Sequence, residues 1–440
     1  MSISPFLTLV HQAHDPAVPA AQRKGLASVC SAHPLVLEAA LQRAVRTGQP
    51  VLIEATCNQV NQDGGYTGMT PADFRDLVLG IASRVSCPEH LVLLGGDHLG
   101  PNPWKSLPPQ EAMDKALCMI EAFAQAGFVK LHLDASMGCA GEPAALPDET
   151  VAERACALAQ RAESVAPGQA VYIIGTEVPV PGGAAEVLDH LKPTTPQAAA
   201  ATLQIHETLF RRTLGDATWT RVIGLVVQPG VEFGVEDMVV YDRPLAKALS
   251  AKLNQMPGQI FEAHSTDYQP LPALRALVED GFLLLKVGPG LTFALREALY
   301  GLDSIRSVLI PHQESLRSVM ERIMTEHPAQ WRGHYEGPQD KLAILRHYGY
   351  SDRIRYYWPQ PDAEDAVATL LSQLEETGLP DPLLSQFLPA QYERIQAGLL
   401  PRHPRDIILS AVDAVLDIYE QACGTSSKLY VHPDKIHSVI

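Results

Sequence analysis

The chain lacks a long apolar run, a cysteine framework and a surplus of basic residues, and each absence removes a class of function. No stretch approaches the roughly 18 apolar residues of a membrane span. The opening MSISPFLTLVHQAHDP has no basic flank, long apolar stretch and small-residue cleavage site of a secretory signal. A cytoplasmic location away from any membrane is therefore expected. The cysteines at 30, 57, 87, 118, 139, 156 and 423 have no CxxC spacing, which argues against both a disulfide framework and a structural zinc knuckle. With 34 Lys and Arg against 50 Asp and Glu, the net charge is −16. That balance opposes nucleic acid as a partner, since phosphate neutralisation needs clustered cations. An anionic small molecule stays compatible, because a few local donors can outweigh the global field. The chain also lacks a GxxxxGK[ST] loop, a kinase signature set and a GxGxxG turn.

What is present is an ordinary globular composition, 46% hydrophobic and 19% charged, with a regular alternation of β-rich and helical runs. Eight β-rich runs can be counted: 26–30, 51–55, 91–96, 129–134, 171–177, 222–228, 259–264 and 282–287. The segments between them carry helix punctuation. After Pro34, residues Leu37, Leu41, Ala44 and Val45 share a face, and Thr70-Pro71-Ala72-Asp73 reads as a helix start with an N-cap, proline in the first turn and an acid three residues on. The pattern predicts an α/β fold, a (β/α)8 TIM barrel over residues 1–302, with a helical extension over 303–440 packed on it. A doubly wound open sheet would share the alternation. The strand ends favour the barrel, because each leads into a polar or chemically capable residue: Cys30-Ser31, Asn58, Asp97-His98, Asp134, Glu177, Gln228, His264 and Lys286. A barrel brings all eight ends to one mouth.

The sharpest signal is LLGGDHLGPNPW at 93–104, which puts Asp97 and His98 at that mouth. A neutral imidazole ligates a divalent metal, while a neighbouring carboxylate can move a hydroxyl proton. FEAHSTDYQP at 261–270 delivers His264, with the hydroxyl of Ser265 behind it, and two such histidines can share an ion. Gln228 offers an amide oxygen to the same centre. Glu177 precedes Gly182 and Gly183, which would let a loop close over a ligand. Asp134 and Ser136 suit sugar hydroxyls, as does the strand-end Asn58. Lys286, followed by Gly288 and Gly290, supplies a cation and backbone donors ahead of the last barrel helix, where barrels often hold phosphate. Arg353 and Arg355 in SDRIRYYWPQP are further candidates for a phosphate contact. His132, inside an apolar strand, reads as a core histidine with satisfied hydrogen bonds.

The strings SVCSAHPLV, IEATCNQVNQDGGYTGMTPADF, GGDHLGPN, KLHLDASM, IGTEVPVPGG, VVQPGVEF, LKVGPGLTFALREA and SDRIRYYWP closely resemble the Z-type subunit family of class II tagatose-1,6-bisphosphate aldolase, almost throughout the chain. The resemblance implies Asp97 as the base, Glu177 as a second catalytic carboxylate, and His98 and His264 as metal ligands. Gln228 stands where the related aldolases have a third histidine. Zinc is the metal first expected, with manganese or cobalt as alternatives. Two functions follow from the resemblance. One is a tagatose-6-phosphate 4-epimerase working by retro-aldol cleavage. The other is a non-catalytic accessory subunit of a class II aldolase. The partners implied are a ketohexose phosphate, a catalytic aldolase subunit and further copies of this chain in a homo-oligomer.

Overall fold

A computed structural model describes residues 2–175 and 191–425. Eight parallel strands close into a barrel: β1 Leu26–Cys30, β2 Val51–Thr56, β3 Val92–Leu99, β4 Lys130–Leu133, β5 Val171–Ile174, β6 Val222–Val226, β7 Ile260–Ala263 and β8 Phe282–Val287. Each strand pairs with its sequence neighbours, and β8 returns to β1 with Leu26 opposite Leu284. Each of the eight runs read from the sequence contains a strand, so the barrel and not the open sheet is the fold. Their apolar side chains fill the interior and the space beneath the helices: Leu52, Ile53, Leu94, Leu131, Ile173, Leu225, Phe261 and Leu284 are buried.

The helix after β1, Pro34–Thr47, buries Leu37, Leu41 and Ala44. Val45 departs from the expected stripe and is 40% exposed, because its helical angle carries it past the face that packs. Helix Pro71–Arg84 begins with the reciprocal cap foreseen for it, Thr70 accepting from the Asp73 N–H while the Asp73 carboxylate accepts from the Thr70 N–H.

Beyond β8, helix Pro289–Leu309 runs across position 302 and into the helical region, where no further strand occurs among the described residues. Prolines open several of the following helices, including Pro361–Thr377 and Pro404–Ala422. The last of these packs on barrel helices Pro34–Thr47, Leu271–Glu279 and Pro289–Leu309. It is tied there by Arg43, whose guanidinium bonds Asp413 at 2.8 Å, Glu420 at 2.5 Å and also Asp417. No helix among the described residues is long and apolar enough to cross a membrane.

Candidate active site at the barrel mouth

Asp97 and His98 are successive residues near the end of β3, and in a regular strand their side chains would point to opposite faces. The β3–β4 register shifts between Gly96 and Leu99, and His98 takes a left-handed backbone with φ 49°. This irregularity turns both side chains into the mouth, with His98 Nε2 3.5 Å from Asp97 Oδ2. His264 follows β7, and His132 rises from β4. One donor atom from each of Asp97, His98, His132 and His264 lies within 4.8 Å of the others.

Each histidine is oriented from behind. His98 Nδ1 meets Asp134 Oδ2 at 2.8 Å, His264 Nε2 meets Glu262 Oε1 at 2.8 Å, and His132 Nε2 meets the Gly175 carbonyl at 3.0 Å. Since a carbonyl only accepts, His132 carries its proton on Nε2. Its Nδ1 then accepts from the His98 backbone N–H at 3.2 Å while standing 2.9 Å from Asp97 Oδ1. Two acceptors at that separation call for a proton or a cation beside them.

Beneath the histidines lies a layer of buried charge. Lys130 Nζ bridges Glu54 at 2.6 Å and Glu262 at 2.7 Å, and all three side chains are fully buried. Lys286 Nζ bonds Asp97 and lies 3.5 Å from Glu54. Burial opposes ionisation of Asp97, but His98, Lys286 and the adjacent His132 outweigh it and hold the carboxyl well below the usual range. Burial likewise works against the His132 cation, yet the Asp97 contact raises its pKa. Burial and Lys286 push His264 down to about 3, which keeps it neutral. Four buried carboxylates, those of Glu54, Asp97, Asp134 and Glu262, face two ammonium groups in this network. A surplus of buried negative charge with the neutral His264 imidazole above it suits a divalent cation.

Above this floor is a cavity lined by Cys30, Thr56, Asn58, Gln59, Tyr66, Phe233, Ser265, Asp267, Gly288, Pro289, Arg355 and Tyr356, together with Asp97, His98, His264 and Lys286. Of the residues singled out in the sequence, Asp97, His98, His264, Asn58, Ser265, Lys286, Gly288 and Arg355 thus converge. Others lie apart. Gln228 Oε1 accepts from the Gly230 and Val231 N–H groups at 2.8 and 2.9 Å, which holds the turn after β6 and engages the oxygen expected to face a metal. Asp134 binds His98 and takes the Ser136 hydroxyl at 2.8 Å, so the pair stands behind the histidine and outside the cavity lining. Arg353 donates from Nε to the Gln330 carbonyl at 2.5 Å and is buried away from the mouth. The N–H groups of Gly288 and Gly290, expected to be open donors, both bond Asp267. Glu177, Gly182 and Gly183 lie outside the described residues.

His132 is the residue that sequence reasoning placed in the core and the structure brings into the donor group. It is both, being fully buried and bonded at each ring nitrogen. Glu54, Lys130 and Glu262 were not singled out either. The available signal was a charged residue inside each of three apolar strands, VLIEA, VKLHLD and QIFEAH, where only a paired charge is tolerated.

The family described as D-tagatose-1,6-bisphosphate aldolase subunit GatZ/KbaZ-like matches residues 13–424. A protein of Agrobacterium fabrum named D-tagatose 6-phosphate 4-epimerase is 52% identical over 407 residues, which is 91% of this chain and 95% of that protein. A crystal structure from Sinorhizobium meliloti 1021, described as a probable tagatose 6 phosphate kinase, superposes with a TM-score of 0.86 at 55% identity, covering 91% of this chain and all of that one.

Proposed function

Because the chain belongs to the GatZ/KbaZ-like family of tagatose-bisphosphate aldolase subunits, matched over residues 13–424, we propose that it is a metal-dependent hexulose-6-phosphate 4-epimerase. It interconverts D-tagatose 6-phosphate and D-fructose 6-phosphate. The observation that carries this reading is the meeting of Asp97 with His98 and His264 at the floor of one cavity, with His132 behind them. The identity to a named epimerase supports it.

Carbon 4 is β to the ketose carbonyl, so its hydrogen is not acidified and enolisation cannot invert it. Cleavage and re-formation of the bond between carbons 3 and 4 can. Asp97 accepts the proton of the carbon-4 hydroxyl, the oxygen's electrons form the aldehyde, and the carbon 3–carbon 4 pair moves toward the carbonyl at carbon 2. The aldehyde turns its other face to carbon 3, the bond re-forms, and the proton returns to the carbon-4 oxygen. His98 and His264 would hold a divalent cation beside Asp97, and when bound it would supply Lewis-acid stabilisation of the negative charge that develops on the ketose oxygens. Lys286 holds Asp97 ionised and in place. In this reading His132, bonded at both ring nitrogens, stands behind Asp97 and positions it, and Gln228 keeps its turn-forming role. Glu177 is a second carboxylate for the reaction, with Gly182 and Gly183 in the segment that follows it. Asn58, Ser265 and Arg355 contact the sugar phosphate. Zinc is the cation favoured by the imidazole ligands, ahead of manganese or cobalt.

The test is conversion of tagatose 6-phosphate to fructose 6-phosphate by the purified chain, with zinc, manganese or cobalt supplied. In deuterated water the carbon-4 hydrogen should be retained, since it stays on the aldehyde throughout. Exchange at carbon 4 contradicts the cleavage route. The family description itself favours a second reading, a non-catalytic subunit that supports an aldolase, and absence of product with all three metals would leave that one standing. Phosphoryl transfer has no support from the sequence, which lacks a phosphate-binding GxxxxGK[ST] loop.

A further inference from the structure

Resting on that reading of the site, we infer that Asp267 makes it selective for a substrate with a single phosphate, by filling with its own carboxylate the anion cradle that a second phosphate would need. In (β/α)8 barrels, the loops after the seventh and eighth strands and the adjoining helix N-terminus are the usual phosphate position. Here that position is Gly288 to Gly290, at the start of the 21-residue helix Pro289–Leu309. Pro289 has no N–H to offer. The N–H groups of Gly288 and Gly290 both donate to Asp267 Oδ1, at 2.9 and 2.7 Å. Asp267 is 2% exposed, and it reaches them because Gly290 lacks a Cβ, which would stand 3.1 Å from that oxygen.

A phosphate arriving at this turn would have to displace a hydrogen-bonded carboxylate and then remain beside it, negative against negative in a poorly solvated pocket. One phosphate has another place. Arg355 lines the same cavity and makes no ion pair among the described residues, whereas Lys286 is committed to Asp97 and Glu54. The Arg355 guanidinium is held 4.5 Å over the Tyr356 ring, with bonds to the Asp352 carbonyl at 3.0 Å and to Tyr356 Oη at 2.9 Å. Loop 351–358 is itself pinned to the helix Pro289–Leu309 by Thr292 Oγ1, which donates to Asp352 at 2.6 Å. The cavity therefore offers a fixed cation for the phosphate on carbon 6 and a carboxylate in the position that a phosphate on carbon 1 would need.

Calorimetric titration of the full chain with D-tagatose 6-phosphate and with D-tagatose 1,6-bisphosphate reads this without requiring turnover. The wild type should bind the monophosphate at least tenfold more tightly. Asp267→Asn keeps an oxygen for the two N–H groups but removes the charge, and should narrow the gap at least fivefold by strengthening the bisphosphate. Arg355→Met should weaken the monophosphate tenfold or more. Equal binding of the two ligands by the wild type overturns the inference, as does an unchanged ratio in a folded Asp267→Asn protein. If that variant does not fold, the wild-type ratio decides. Selective binding without epimerase turnover would sink the epimerase reading alone; turnover with equal binding would sink this inference alone; binding of neither ligand sinks both.

Discussion

Asp134 Oδ2 meets His98 Nδ1 at 2.8 Å, so a carboxylate that the sequence offers to a sugar hydroxyl is engaged in orienting a histidine ring. The contact fixes which nitrogen of His98 faces the centre and makes that nitrogen a better donor to a cation. Asp134→Ala should therefore lower the affinity for a divalent cation by about ten- to a hundredfold. The measurement is titration of zinc into chelator-stripped protein, and an undiminished affinity would disconnect Asp134 from the metal.

Asp97 and His98 should separate chemistry from binding. Asp97→Asn keeps the shape but cannot take a proton, so turnover should fall by about a hundredfold or more while sugar phosphate still binds. His98→Ala removes a ligand and should lose the cation. Metal content measured beside turnover distinguishes the two, and an Asp97→Asn protein with full turnover would exclude Asp97 as the essential base.

Glu232, on the short antiparallel hairpin Glu232–Phe233 and Met238–Val239 that follows β6, sets a pH dependence of stability. Burial pushes its carboxyl up to about 7, against the Ser265 and Phe233 hydrogen bonds that pull the other way. The folded state thus holds a proton that the unfolded chain releases near 4.5, so this contribution to stability is full below about pH 4.5 and is lost as pH rises to 7. In urea unfolding, the wild type should lose about 2 to 3 kcal/mol relative to Glu232→Gln between pH 4.5 and 7. Parallel pH profiles for the two proteins would remove the assignment.

Arg43 carries the junction of the last helix with the barrel. Its side chain is 13% exposed among Asp413, Asp417 and Glu420. Arg43→Leu leaves three carboxylates without their common partner and should destabilise the fold by about 3 kcal/mol. The unfolding midpoint checks this, and an unchanged midpoint would mean that the contacts are solvent-screened.

The strands and helices were legible because they rest on local pattern. Apolar runs such as FLLLKV bury on both sides in a parallel barrel, and Thr70-Pro71-Ala72-Asp73 satisfies its own helix start within four residues. Asp97, His98, His264 and Lys286 were legible as residues of the mouth because each stands at or near the C-terminal end of a barrel strand, although Asp134 and Gln228, in like positions, turn to neighbouring groups. The function class came from the long strings of the family resemblance.

What tertiary structure alone decided is which groups meet. That Asp97 and His98 both turn inward depends on the register shift against β4 and on the positive φ of His98. That His132 joins them while Gln228 does not depends on where two backbone N–H groups after β6 find an acceptor. Arg355 reaches the mouth, and Arg353 two residues away does not, because Thr292 and Tyr335 fix the loop between them and the barrel. The Asp267 carboxylate is likewise fixed by two N–H groups from the next strand-to-helix turn, more than twenty residues along the chain. Sequence periodicity determines a residue's place along its own strand or helix. Ring orientation, hydrogen-bond partners and charge pairing are set between elements distant in sequence, by which donors and acceptors the closed barrel leaves within 3 Å of one another.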